Sequence, residues 1–394
     1  MTGGFSGVVS FLKYKCAGVI FLGLLCFMTA PSTANATSDQ TDQPVALDSP
    51  LEFVLLNPNS DHSFWRLFEE TMKAACQDLG CSVESYHADR DQFKMIDQVH
   101  EIGRRVKKPD AVFFQSLKKN GPAVLEALEK YEITGFLINA GLDTEQAKTY
   151  GGPRERYKYW VGQMVPDDYN AGKTIAKALY RKAVDRGYYN NGKIQFLGIL
   201  GTLSDSASIE RERGLRDFLN SKPDAELLQT VEGKWSAETS EKIMQKLMVR
   251  YPDVKLVWAA SDSMANGVIK ACEASKRECD ILTVGVDWER QALENIKRNK
   301  LLGSAGGHYM EAGWATVLMF DYLKGYDFKE YGGVTRVSKM DFLNRNMVLS
   351  LSENCCEAEV ENFDFKTLSR FYNPENTTYD FDTLEVIGPK RMTE

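Results

Sequence analysis

The segment 256–287, LVWAASDSMANGVIKACEASKRECDILTVGVD, contains the pattern on which the fold prediction rests. A short apolar run, LVWAAS, is followed by a helical pattern over 264–274 and then by a second apolar run, ILTVGVD. Short apolar runs that alternate with amphipathic helices are typical of βαβ units, in which a right-handed crossover helix connects two parallel strands. The segment therefore predicts one repeat of a parallel sheet with helices packed on its faces.

The same alternation extends through most of the chain in two series. The first begins with the strand pattern LEFVLL at 51–56, and the second begins after the turn GGP at 151–153 and includes the strand pattern KIQFLGILG at 193–201. Two such series, each of about 110–140 residues, predict an α/β fold of two similar lobes, each with a largely parallel sheet.

The composition is that of a globular chain without a basic patch. Of 394 residues, 43% are hydrophobic and 26% are charged, which excludes a disordered or fibrous protein. The 48 Lys and Arg residues against 55 Asp and Glu residues give a net charge of −7, with both signs scattered along the chain. Proteins that bind nucleic acids by neutralising phosphates carry a basic surface, so we expect no nucleic-acid partner.

The first 36 residues predict a secretory signal peptide. Lys13 and Lys15 precede an apolar run at 16–30, and an A-x-A cleavage site ends at Ala36. The run is shorter than the roughly 20 residues that span a bilayer, which disfavours the alternative of an uncleaved membrane anchor. Removal of the signal peptide would leave a polar lead-in, 37–50, and place the mature protein outside the cytoplasm.

Disulfides are expected in such an oxidising compartment. Six cysteines lie outside the leader, and six cysteines allow fifteen pairings among which the sequence does not choose. Cys76 and Cys81 flank one predicted helix-to-strand turn, and Cys272 and Cys279 flank another, so each pair is a candidate for a local disulfide. A zinc site is disfavoured, because no CxxC motif is present and the histidines lie elsewhere in the sequence.

Polar and aromatic residues follow the predicted strands. In parallel sheets ligands bind beyond the carboxyl ends of the strands, so these residues are the candidates for a binding site. Planar polar side chains and aromatic faces suit a small polyhydroxylated ligand, because hydroxyls both donate and accept hydrogen bonds and C–H faces stack on rings. The alternative for each residue is a structural role, such as a helix cap at Asp262 and Ser263. The candidates are His62, Phe64 and Trp65, Asn139, Arg211 and Arg213, Trp235, Ser261, and Asp287.

Five segments occur in an order and spacing that together point to one family. They are NPNSDHSFW (57–65), VGQMVPDDYNAGKTIAKAL (161–179), RERG (211–214), SDSMANGVIKA (261–271) and TVGVD (283–287). In this order they resemble the periplasmic sugar-binding proteins of ABC transporters, which have the type I fold of ribose- and galactose-binding proteins. The resemblance implies two Rossmann-like lobes that close about a hinge, a periplasmic location and a monomeric protein. The first lobe would comprise 51–163 with 308–334 and the second 164–307 with 335–350, followed by a C-terminal extension at 351–394.

The resemblance also assigns roles to individual residues. It implies that Phe64 and Trp65 pack against a sugar ring and that Trp235 supplies the aromatic side chain of the second lobe. Arg213, the second arginine of RERG, and Asp287 would bind the ligand's hydroxyls. The chain departs from the family at Ser261, at Asn139 with Ala140, at His62, and at His308 beside Gly307. His62 and His308 would both face the cleft. Because of these departures, the resemblance secures the fold but not a common hexose or pentose as the ligand.

The function implied by the resemblance is non-catalytic capture of a small sugar-like solute for the permease of an ABC transporter, without a cofactor or metal. The alternative is a periplasmic sensor similar to autoinducer-2 receptors, which presents its bound form to a membrane histidine kinase. The atypical cleft and the tail after about residue 340 favour that alternative slightly. An enzyme is disfavoured, because GxSxG and HExxH motifs are absent and GKT at 172–174 lacks the upstream glycine of a phosphate loop.

Overall fold

The computed structural model describes residues 49–275, 280–351 and 355–388. The predicted signal peptide, 1–36, and residues 37–48 of the predicted lead-in lie outside the described residues. In the described part of the chain, no helix combines the length and the apolar composition that crossing a membrane requires.

Two sheets of six strands each form the centre of the fold. The strands are β1 Glu52–Asn57, β2 Ser82–His87, β3 Ala111–Phe114, β4 Gly135–Ile138, β5 Trp160–Pro166, β6 Ile194–Leu200, β7 Ala225–Glu232, β8 Leu256–Ala259, β9 Leu282–Val286, β10 Gly303–Gly306, β11 Thr335–Ser338 and β12 Asp341–Asn344. The first sheet has the order β11-β5-β4-β3-β1-β2, and all of its neighbours are parallel. The second has the order β12-β10-β9-β8-β6-β7 and is parallel except for the edge strand β12. The predicted α/β fold with two parallel-dominated sheets is confirmed.

Helices connect the strands. They are α1 Ser63–Leu79, α2 Gln92–Gly103, α3 Gly121–Tyr131, α4 Thr144–Tyr150, α5 Asp168–Arg186, α6 Ser206–Asn220, α7 Ala237–Arg250, α8 Asp262–Ala274, α9 Arg290–Lys297, α10 Glu311–Leu323, α11 Arg345–Ser350, α12 Glu357–Asn362 and α13 Thr383–Ile387. The buried strands β3, β4 and β8 have no exposed residue, as expected for parallel strands covered on both faces.

Helix α1 shows how the sequence sets the length of an element that positions the site. Phe64, Phe68, Met72 and Leu79 recur at helical spacing, and all four are buried against the first sheet. The helix ends at Gly80, whose φ of 78° lies in the left-handed region and whose N–H donates to the carbonyl oxygen of Cys76. Because α1 follows β1 in the chain, its first turn lies near the carboxyl end of that strand, where a ligand site is expected.

Within the residues that the structure describes, the chain crosses between the two lobes at 166–168, 306–308 and 338–341. The predicted boundary at 335 is wrong, because β11 (Thr335–Ser338) pairs with β5 and belongs to the first lobe. The predicted boundary at 163 falls inside β5, which continues to Pro166. The sequence carried little signal for β11, since only Ser338 of its four residues is buried and an exposed edge strand lacks an apolar run.

The cysteines differ in part from their predicted pairing. Cys76 and Cys81 are free thiols, so the predicted disulfide between them is not formed. The turn is closed instead by the carbonyl oxygen of Cys76, which accepts the amide N–H groups of Gly80 and Cys81 at 2.9 Å each. Burial and a hydrogen bond with Cys81 raise the pKa of the Cys76 thiol. Cys279 lies outside the described residues, so its pairing with Cys272 stays a prediction.

Candidate functional site

A cavity of about 100 Å³ lies between the carboxyl ends of the strands of the two lobes. From the first lobe it is lined by four of the predicted site residues, which are His62, Phe64, Trp65 and Asn139. Trp235 and Asp287 line it from the second lobe, and His308 lines it from the crossover that follows β10. Arg211 of the second lobe lines it as well, so the fold brings eight of the ten candidate residues to one place, at the carboxyl ends of the strands.

The first lobe contributes an aromatic wall. Phe64 and Trp65 lie in the first turn of α1, with their ring centroids 5.0 Å apart in an edge-to-face arrangement. The imidazole of His308 stacks on Phe64 at 4.6 Å, and both side chains are buried. At the end of β1, the side-chain amide of Asn57 donates to the carbonyl oxygen of Trp65 at 3.3 Å, which fixes the start of the helix.

Trp235 is held in place from several sides. Its backbone has a φ of 57°, and its indole Nε1 donates to Oδ2 of Asp205 at 2.8 Å. A Cβ placed on Gly201 would come within 2.0 Å of the indole ring, so the ring packs directly on the backbone of that glycine. The guanidinium of Arg211 lies 5.7 Å from the ring centroid. The indole is therefore a rigid aromatic surface of the second lobe, without freedom to move away from a ligand.

Arg211 organises the polar floor of the cavity. It donates from Nε to Oδ1 of Asp168 at 2.7 Å, and from Nη1 to the carbonyl oxygen of Ala260 at 2.7 Å. Nη1 also lies 3.4 Å from Oδ1 of Asp287. Burial raises the pKa of both carboxyl groups, and the positive charge of Arg211 opposes that rise. The guanidinium thus fixes the orientation of Asp287, the carboxyl group of this cluster that lines the cavity.

His308 is a neutral imidazole at this floor. Burial and the charge of Arg211 lower its pKa well below the usual value. Its Nε2 lies 3.5 Å from Oδ1 of Asp287, and its Nδ1 has no hydrogen-bond partner among the described residues. A neutral imidazole offers one donor and one acceptor, which matches the double character of a hydroxyl group.

The matched residues and the geometry agree on the family. Residues 53–327, well over half of the chain, match the model of the periplasmic binding protein domain. The chain belongs to this family. The predicted resemblance is therefore confirmed at the level of the family.

Several relatives support the same assignment. The chain is 31% identical over 288 residues to the ribose import binding protein RbsB of Bacillus subtilis, which covers 72% of this chain and 82% of the relative. It is 23% identical over 250 residues to the D-apiose import binding protein of Paraburkholderia graminis, covering 63% and 72%. The crystal structure of a periplasmic sugar-binding protein from Pseudomonas fluorescens has a TM-score of 0.76 and 30% identity, and covers 85% of this chain and 98% of that structure.

Arg213 lies outside the cavity of this periplasmic binding protein. Its side chain is more than half exposed, pairs with Glu210, and stacks on the ring of Tyr169 at 4.5 Å. Arg211 occupies the cavity instead, on the buried face of α6 that also carries Leu215. Two positions along a helix differ by about 200°, so only one of the two arginines can face the cleft. Arg211 lies four residues before the buried Leu215, on the same face of α6, and this spacing could have identified it as the buried arginine.

Ser261 also lies outside the cavity. It is buried at the N-terminus of α8, where its Oγ accepts the backbone N–H of Met264 at 3.3 Å. It therefore has the capping role that the sequence analysis considered for Asp262 and Ser263. Asp262 itself is buried and accepts the backbone N–H of Glu289 and the hydroxyl of Ser304, each at 2.9 Å. Burial and the neighbouring Glu289 raise the pKa of Asp262 to about 8.

Rim residues that the sequence analysis missed join the two lobes. Arg90 donates from Nη2 to the carbonyl oxygen of Lys234 at 2.6 Å, and the backbone N–H of Lys118 donates to Oδ1 of Asp205 at 3.2 Å. Nζ of Lys118 donates to the carbonyl oxygen of Arg90 at 2.8 Å, which connects the two contacts. We call these two interlobe hydrogen bonds the rim contacts. They join the first lobe to the second at the edge of the cavity.

A third interlobe contact lies deeper in the cleft than the two rim contacts. Nε2 of His62 in the first lobe is 3.6 Å from Oε1 of Glu289 in the second. Burial, with the charges of Arg90 and Arg66, lowers the pKa of His62 to about 4, while burial raises the pKa of Glu289 to about 7. His62 is therefore neutral near pH 7, and the contact is a polar one rather than a full ion pair. No group of three or more metal-binding side chains is present among the residues that the structure describes.

Proposed function

We propose that this protein captures a single sugar or sugar-like molecule between its lobes and delivers it to the permease of an ABC importer. The observation that carries the proposal is the cavity itself, in which aromatic faces from both lobes lie beside a buried, hydrogen-bonded Arg211 and Asp287. This combination suits a ligand with C–H faces and vicinal hydroxyls. The relatives named above are sugar-binding or sugar-import proteins, which favours an importer over a receptor for a sensor kinase.

The size of the cavity favours one sugar ring. Its volume of about 100 Å³ is several times the roughly 10–15 Å³ that a single water molecule needs. A pentose or hexose has about ten to twelve non-hydrogen atoms, and a disaccharide has about twice as many. A monosaccharide or a cyclic polyol therefore fits the enclosed space, and a disaccharide would prevent the lobes from closing.

The binding step follows from the crossovers between the lobes. A sugar that stacks on Phe64 of the first lobe would contact Trp235 and Asp287 only after the second lobe has rotated onto it. The rim contacts then enclose the ligand. We further propose that residues 1–36 are a cleaved signal peptide, that the mature protein acts as a monomer in the periplasm, and that it performs no catalysis.

Binding can be tested directly with two sugars, D-ribose and D-apiose. Thermal unfolding of the purified protein should shift upward with one of them, because a ligand at 100 times its dissociation constant adds about 2.7 kcal/mol of stability. The transport half of the proposal is tested by sugar-dependent stimulation of the cognate permease and ATPase in proteoliposomes. Absence of any shift with these two sugars and with a panel of monosaccharides and cyclic polyols would contradict the proposal.

A further inference from the structure

One buried carboxyl group anchors the C-terminal extension, which the structure describes over 355–388, to the first lobe. Asp321 of α10 accepts hydrogen bonds from Oγ of Ser369 at 2.5 Å and from the backbone N–H of Arg370 at 2.6 Å. It also accepts from the backbone N–H of Phe371 at 3.2 Å and from the hydroxyl of Tyr379 at 2.9 Å. A buried carboxyl group requires hydrogen-bond partners, and the extension supplies four donors to this one. The attachment is therefore specific.

Aromatic packing extends the same attachment along α10. Phe365 of the extension is fully buried, and its ring lies so close to Gly313 that a Cβ at that position would approach it to 2.2 Å. Farther along the extension, Phe381 stacks on Trp314 with a centroid distance of 5.2 Å and an interplanar angle of 10°. The extension is therefore part of the packed fold, although it lies beyond residues 53–327 that match the family model.

The extension ends at a crossover between the lobes. Oγ1 of Thr383, the first residue of α13, donates to the carbonyl oxygen of Gly307 at 3.0 Å. Gly307 directly follows β10 and has a φ of 103°, and a Cβ on it would lie 3.1 Å from Cβ of Thr383. The next residue, His308, lines the cavity and stacks on Phe64. One hydroxyl thus joins the extension to the segment that carries a cavity residue.

We propose that the C-terminal extension is a hinge strap, in which Thr383 is a positioning residue that holds the crossover at 307–308 and thereby places His308 in the binding cavity. The inference rests on the proposed function. The strap is fixed to the first lobe at Asp321, so its hydrogen bond to Gly307 keeps the crossover in register with that lobe. Without the bond, the crossover has more freedom, and His308 is less well oriented toward Asp287 and a bound sugar.

The test compares three full-length variants. Thr383→Val removes the hydroxyl with little change in shape, and Thr383→Ser keeps it. Thr367→Val is the matched control, because Thr367 lies in the same extension but donates only to the local carbonyl oxygen of Asp364. Hydrogen–deuterium exchange of the amides at 303–310 is measured without ligand, and D-ribose and D-apiose binding is measured by calorimetry.

Thr383→Val should speed exchange at 303–310 by about two- to twelve-fold, which corresponds to one lost hydrogen bond, and should weaken sugar binding by a similar factor. Thr383→Ser and Thr367→Val should match the wild type. Tyr379→Phe, which leaves Asp321 with three of its donors, should change exchange in the same direction. Unchanged exchange at 303–310 in Thr383→Val, or an equal change in Thr367→Val, would overturn the strap.

The exchange measurement separates this inference from the proposed function. If the wild-type protein binds neither sugar while Thr383→Val still loosens 303–310, the strap stands and the proposed ligand class fails. If the wild type binds sugar and Thr383→Val alters only the melting temperature, the extension is merely structural and the inference fails.

Discussion

Substitution of the two neighbouring arginines of α6 tests the assignment of the polar floor most directly. Arg211→Lys keeps the positive charge but loses the planar group that donates at the same time to Asp168, to the carbonyl oxygen of Ala260 and toward Asp287. Arg213→Lys makes the same chemical change at a position that is exposed and pairs only with neighbours on the protein surface. The pair therefore compares one substitution in two environments within a single helix.

The size of the effect follows from the contacts. A hydrogen bond to a charged group contributes about 1.5–3 kcal/mol, so loss of the contact that orients Asp287 should weaken sugar binding about 10- to 140-fold. A buried carboxyl group with one partner fewer should also lower the free energy of unfolding by about 1–3 kcal/mol. Arg213→Lys should change each quantity by less than about 0.5 kcal/mol, as is usual for an exposed position.

Calorimetric titration with whichever of D-ribose and D-apiose binds the wild-type protein, together with thermal unfolding, measures both quantities. Affinity within two-fold of wild type for Arg211→Lys, with a clear loss for Arg213→Lys, would refute the assignment of Arg211 to the ligand site. It would restore the expectation that the second arginine of RERG binds the ligand.

Two further predictions concern the indole of the second lobe and the deeper interlobe contact. Gly201→Ala places a methyl group where the Trp235 ring lies, 2.0 Å away, so we expect at least ten-fold weaker sugar binding and altered tryptophan fluorescence; calorimetry and an emission spectrum check this. Burial raises the pKa of Glu289 to about 7, so the folded state binds its proton more tightly than the unfolded state does. The stability that Glu289 contributes is complete below about pH 4.5, its ordinary pKa, and is lost as the pH rises through 7. The lowered pKa of His62 has the opposite effect on stability, but only below about pH 6.5. Glu289→Gln should therefore flatten the fall in melting temperature between pH 6.5 and 8, and an identical slope in both proteins would contradict it.

The fold could be predicted because periodicity in the sequence carries most of the information about parallel sheets. Runs such as AVFF in β3 and LVWA in β8 are buried on both faces, and their apolar character is therefore continuous. The edge strand β11 lacks that character, which explains the misplaced lobe boundary. Its position depends on pairing with β5, in which Thr335 lies opposite Gln163, a residue 172 positions earlier in the sequence.

The candidate site could be predicted only in part, for a different reason. Residues placed by a strand end or by the first turn of a helix, such as Phe64 and Asp287, follow from the topology. The choice between Arg211 and Arg213 depends on which face of α6 is buried, and a match to the sequence motif RERG does not show which face that is. Lys118 reaches Asp205 through a left-handed backbone conformation, with φ of 47°, which a lysine in a sequence does not signal.

The closed arrangement of the lobes suggests how a ligand stabilises it. The rim contacts join the lobes, and in the same arrangement Nδ1 of His308 and Oε1 of Glu289 are buried without a hydrogen-bond partner among the described residues. Each unsatisfied buried polar atom costs about 1–3 kcal/mol, so the two together cost about 2–6 kcal/mol, and each of the two rim hydrogen bonds, which involve a charged group, contributes about 1.5–3 kcal/mol. The two effects nearly cancel, so closure without ligand is close to balanced. We expect a ligand hydroxyl that bonds to the imidazole of His308 to remove one of these costs. We therefore expect a ligand to shift the equilibrium toward closure through its contact with His308, the residue that the proposed hinge strap holds in place.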